Sequence, residues 1–97
     1  MRLPSFTDLD YTSFSRVCRV LDEFYFLLNE AAERKDRRTL QFVRESVTDW
    51  SVSINNRRLN YEDPEITPIV RLNLGRGFVE VSKLLKAIDL KLVSIKR

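Results

Sequence analysis

From Ile66 to Leu92, apolar residues recur at steps of three and four: Ile66, Val70, Leu74, Phe78, Val81, Leu84, Leu85, Ile88 and Leu92. That spacing marks one face of a single long helix. A second set, Leu72, Val79, Leu90 and Val93, falls well outside that face. One face is enough to fill a small core. The second needs another layer or another protein. The chain must therefore be organised around a long helix with more apolar surface than a free-standing small bundle uses.

The rest of the sequence narrows what surrounds this helix. Ninety-seven residues make one domain, 1–97, with a limited core. A composition of 43% hydrophobic and 32% charged residues belongs to a folded chain, not a disordered one. Two Gly and three Pro leave little material for turns, which argues against an all-β fold. Cys18 is the only cysteine, so no intramolecular disulfide can form. Its position on an apolar helix face reads as a buried, inert thiol. The absence of His removes the commonest general base and the commonest metal ligand. No apolar run approaches the ~18 residues of a membrane span. The opening Met-Arg-Leu-Pro-Ser lacks the apolar core of a signal peptide, so a cytoplasmic location is expected.

Taken in order, the spacing predicts helices over 7–34, 37–59 and 67–95. Thr7 is the expected cap of the first, with Asp8 and Asp10 in its first turn and Phe6 and Tyr11 at the staple positions. Phe14, Val17, Cys18, Leu21, Phe24, Tyr25, Leu28 and Ala32 form its stripe, widened by Val20 and Leu27, while Phe26 stands outside it. Arg34-Lys-Asp-Arg-Arg38 is a short turn in which Asp36 caps the second helix, so the first two helices form an antiparallel hairpin. The second stripe, Leu40, Val43, Val47, Trp50 and Ile54, is narrower, with Phe42 and Val52 off it. Asn60 to Ile66 is the linker, and Thr67-Pro68 starts the third helix. At 1.5 Å per residue the first and third helices would each be roughly 40 Å long. The expected architecture is an all-α, three-helix, up-down-up bundle.

Gly75 and Gly77 form the only glycine cluster, and it lacks the pattern of a phosphate loop. The pair reads as a packing contact, with Gly77 on the core side, or as a kink in the third helix. The functional alternative is a hinge or a close approach by a partner's backbone. No two carboxylates are placed for general acid–base work, and no nucleophile motif is present. No enzymatic activity, small-molecule substrate, cofactor or metal site is expected.

Charge placement says more than the net charge of +3, which comes from 17 Lys and Arg against 14 Asp and Glu. In an up-down-up bundle, Arg34, Lys35, Arg37 and Arg38 share one pole with Lys91, Lys96 and Arg97. Asp8, Asp10, Glu62, Asp63 and Glu65 share the other with Arg57 and Arg58, so the bundle should be electrically polar along its axis. The helix dipole accounts for Lys96, Arg97, Arg57 and Arg58 at helix ends. Arg37 and Arg38 open a helix, where the dipole disfavours cations and no gain in stability is evident. Clustered arginines of that kind are candidates for phosphate contact. On the third helix, Lys83 and Lys86 interleave with Leu72, Val79 and Leu90, a mixed surface suited to a protein partner with a charged rim.

In overall form the chain resembles the small subunit of a CRISPR surveillance complex. The likeness covers size, helix content and basic charge and carries no motif. It implies a non-enzymatic subunit of a nucleoprotein assembly that packs on neighbouring subunits and contacts a DNA or RNA backbone through the basic pole. The alternative is a protein-binding adaptor, inhibitor or homodimeric regulator of phage or plasmid type with no nucleic-acid role. A helix-turn-helix repressor fits less well, because no short helix pair with a tight Gly-containing turn is present.

Overall fold

The computed structural model describes residues 3–95. Among them the elements are three helices, α1 (Phe14–Glu33), α2 (Arg37–Arg58) and α3 (Pro68–Ser94), and no strand. They pack as the expected three-helix bundle, a rod with principal extents of 49 × 19 × 17 Å. The C-terminal end of α3 returns to the α1–α2 turn, where Arg37 reaches the carbonyl oxygen of Leu92. The topology is therefore up-down-up.

The three stripes meet in one core. Val17, Phe24, Leu40, Val43, Val47, Trp50, Ile54, Leu74, Val81, Leu84 and Ile88 lose all contact with solvent. Trp50 is its largest member and stacks on Phe24 with ring centroids 5.7 Å apart. Burying side chains of this size stabilises the fold by about 1.5–3 kcal/mol each before entropy is counted. Cys18 is only half-buried, at the edge of the α1–α3 contact beside Phe14, Arg76, Val79 and Glu80, so the fully buried thiol expected from its spacing is not found.

Each boundary has a local cause. α1 ends with Lys35 in the left-handed region, φ 54°. The Asp36 and Lys35 N–H groups donate to the carbonyls of Ala31 and Ala32 at 2.8 and 3.0 Å, a Schellman closure. Asp36 then caps α2, its carboxylate accepting from the backbone N–H of Thr39 at 3.1 Å. Thr67 caps α3 through Val70 N–H, with Pro68 opening the helix. α3 runs as one helix through Gly75 and Gly77.

The start of α1 departs from expectation. Thr7 caps nothing, Asp8 and Asp10 lie outside the helix, and α1 begins seven residues later than Thr7, at Phe14. Its 20 residues make it roughly 30 Å long, not 40. The cause is Asp10, which accepts from both the backbone N–H and the hydroxyl of Thr12 at 2.9 and 2.6 Å. Such a local turn competes with helix. It aims Tyr11 inward, where the phenol oxygen accepts from Trp50 Nε1–H at 2.9 Å and the backbone carbonyl accepts from Asn73 Nδ2–H at 2.7 Å. Phe6 stacks on the face of Trp50, centroids 5.6 Å apart. Residues 3–5 lie beside α1, and the segment from Phe6 to Tyr11 straps over Trp50 of α2 and Asn73 of α3 and closes the core, instead of extending α1.

Candidate interaction surfaces

Two surfaces came out of the sequence as candidates, and the bundle treats them differently. At the basic pole, Arg34, Lys35, Arg37 and Arg38 surround the α1–α2 turn. Arg34 forms an i,i+4 ion pair with Glu30 at 2.8 Å, its side chain 70% exposed. A pair so wet adds about 0.3–0.5 kcal/mol. Lys35 is exposed and holds the left-handed turn position. Arg38 is exposed and makes no ion pair among the described residues. Lys91 is half-buried in the last turn of α3. Lys96 and Arg97 lie outside the described residues.

Arg37 overturns the argument made for it from sequence. Its Nη1–H donates to the carbonyl oxygens of Leu92 at 2.9 Å and Ile95 at 3.5 Å. These carbonyls belong to the end of α3, where no intrahelical donor remains for them. A cation there also opposes the negative end of the α3 dipole favourably. The fold does gain from Arg37. Its position at the start of α2 disguised a role at the end of a different helix.

Asp36 sits at the centre of this pole. The hydroxyl and then the backbone N–H of Thr39 hold its carboxyl below the ordinary range, with smaller contributions from Arg34 and Arg38. Asp10 at the far pole is held down in the same way by Thr12.

At that far pole the arginines lie over aromatic rings, a grouping no linear pattern announced. Arg57 lies over Tyr11 at 5.2 Å, Arg58 over Phe78 at 5.1 Å, Arg71 over Tyr61 at 4.4 Å and Arg76 over Phe14 at 4.0 Å from the ring centroids. Arg71 also donates to the carbonyls of Arg58 and Asn60, fastening the 59–67 linker to α3. Arg71 therefore joins Arg57 and Arg58 in offsetting the acidic residues there. The axial charge contrast is smaller than the sequence implied. Burial pushes the Tyr11 hydroxyl above the ordinary phenol range, with the Trp50 hydrogen bond and Arg57 pulling the other way.

The outer face of α3 is the second surface. Leu72, Val79 and Leu90 are more than half exposed, as are Ile69 and Val93, over a range of 51% to 76%. Lys83 and Lys86 are exposed among them, and Lys83 pairs with Glu80 at 3.1 Å. On a helix at 100° per residue, these positions and Arg76 fall within about 80° of a line opposite the core. Gly75 borders that line and opens a groove lined by Arg58, Tyr61, Arg71, Leu72, Arg76 and Val79. A Cβ at Gly75 would meet nothing within 4 Å. At Gly77 it would meet Val17 and Ile54 at 3.6 and 3.7 Å, ordinary contact distances. The fold itself requires neither glycine.

Among the described residues, no three Cys, Asp or Glu side chains converge as a metal site, and no helix is long and apolar enough to cross a membrane. No protein-family model, curated protein or solved structure matches the chain significantly.

Proposed function

We propose that the chain is a non-enzymatic helical subunit of a larger assembly and packs on a neighbouring protein through the outer face of α3. The observation that carries this reading is the exposed row Ile69, Leu72, Val79, Leu90 and Val93 on the side of α3 turned away from its own core. Apolar side chains scattered singly over a surface need no explanation. Apolar side chains grouped at both ends of one helix face, with Val79 between them, have the pattern of an interaction site. In its native host the chain should be recovered with defined protein partners. Replacing Leu72, Val79 and Leu90 together by Ser should remove those partners and leave the far-ultraviolet circular dichroism unchanged. Retained partners would place the interface elsewhere, and loss of helicity would assign the row to the domain's own stability.

The assembly in this reading is a nucleoprotein one, with Arg34, Lys35 and Arg38 on the nucleic-acid backbone. What supports this is their exposure around one turn, with Arg38 free of any ion pair among the described residues. Arg37 no longer belongs to that argument. The likeness to the small subunit of a CRISPR surveillance complex fits through size, helix content and charge. Phosphate contacts release counterions, so Arg34→Gln, Lys35→Gln and Arg38→Gln should each lower the salt slope of binding by roughly one unit, alike for unrelated sequences. Affinity for DNA and RNA unchanged by the triple variant, in the native complex, would leave a protein adaptor with no nucleic-acid role.

A further inference from the structure

We infer that the outer face of α3 docks an amphipathic helix of a partner protein that is apolar at both ends and acidic at its centre. This rests on the reading of that face as an interface and specifies what covers it. The exposed positions form two interleaved heptad series. Ile69, Arg76, Lys83 and Leu90 are seven apart, and so are Leu72, Val79, Lys86 and Val93. The second series lies three residues after the first. This is the a/d register of a helix-pairing seam, held over four heptads. Every member of it is exposed. The core of the bundle uses the opposite side of α3, so the seam has no partner within the chain.

The composition of the seam chooses between occupants. Apolar residues hold its two ends, and Arg76, Lys83 and Lys86 hold its centre with Val79. Two carboxylates border it: Glu80, which offsets part of that charge through Lys83, and Asp89 beside Lys86 and Leu90, which is taken by Arg44 of α2. A second copy of the chain fits badly. A parallel pair would set each cation beside itself. An antiparallel pair centred on the seam would set Arg76 opposite Lys86. Like charges placed opposite one another across a helix pair act against association. A shifted antiparallel pair that avoided this would leave Leu90 and Val93 uncovered. A partner helix with Glu or Asp at its centre meets all three cations and covers both apolar ends. Gly75 adds a second indication. It keeps the groove beside Leu72 and Val79 open, and no contact within the fold requires its missing side chain. A partner helix can therefore approach closely there.

The test uses the full chain and two designed amphipathic peptides of about 25 residues, the length of the seam. Both carry Leu at the outer seam positions; one has Glu at the central ones and the other Lys. The acid-centred peptide should bind at least roughly tenfold tighter in titration calorimetry at low salt, and ~1 M salt should erase most of the preference. Lys83→Glu combined with Lys86→Glu should reverse the preference. Both lysines are exposed, so circular dichroism should stay unchanged; if it does not, the salt dependence of the unmodified chain decides. Equal binding of both peptides would keep the face as an interface and overturn its acidic partner. Self-association abolished by the Leu72, Val79 and Leu90 replacements would do the same, with a second copy as the occupant. Binding to phosphatidylglycerol vesicles without peptide preference would assign the face to a membrane surface. A monomeric chain that binds neither peptide nor vesicles would overturn the interface reading together with this inference.

Discussion

Arg37 shows how the position of one residue in sequence misleads about its work. At the start of α2 the local field opposes a cation, and on that ground it looked available for a ligand. Its guanidinium instead satisfies the Leu92 carbonyl at the end of α3. Arg37→Gln should lower stability by about 0.5–1.5 kcal/mol, the usual worth of such a hydrogen bond, read as a lower melting temperature. Arg38→Gln should leave it unchanged or slightly higher, since that cation makes no ion pair among the described residues and its small attraction for the Asp36 carboxylate is set against the α2 dipole it opposes. An equal loss for both variants would mean that the Arg37 contact contributes nothing particular. Tyr11 and Asn73 carry the same lesson. Spacing put Tyr11 at a staple position of the first helix and left Asn73 without a role, yet one hydrogen bond joins them across the core.

Among the elements, α2 and α3 were legible almost to the residue because their boundaries rest on local chemistry: Asp36 as a cap, Thr67-Pro68 as a start, and apolar periodicity between. The outer row of α3 was legible for the same reason, since period alone put Leu72, Val79, Leu90 and Val93 off the core face. The start of α1 was not. Thr7, Asp8 and Asp10 have the composition of a helix start, but Asp10 turns the chain through Thr12 and the docking of Tyr11 against Trp50 and Asn73 holds that turn in place of helix. The arginine–aromatic stacks were hidden because Arg76 and Phe14 are neighbours only after folding. The α3 glycines allow a test at this scale. A Cβ fits at both, so Gly75→Ala and Gly77→Ala should each stabilise the free chain by up to about 1 kcal/mol in denaturant unfolding. A loss at Gly77 would mean that its neighbours Val17 and Ile54 cannot accommodate even ordinary contact.

For the molecule as a whole, acid is the condition to which stability should respond. Asp36 and Asp10 have folded pKa values below their unfolded ones. Their contribution is present above the unfolded value of about 3.9 and is lost as pH falls through the folded one. With no His in the chain, the melting temperature should be flat from about pH 5 to 8 and fall below about pH 4. A decline already between pH 7 and 5 would require a titrating group other than these two. The strap over the core has a separate consequence, for the order in which the chain takes shape during synthesis. Tyr11 leaves the ribosome early, but its carbonyl waits for Asn73, 62 positions downstream. The α1–α2 hairpin needs only local contacts and closes first, while the long-range pairing is slow by its topology. Until that part of α3 has emerged, the strap over Trp50 lacks its Asn73 anchor, so the cover on the largest side chain of the core is completed only after α1 and α2 have both left the ribosome.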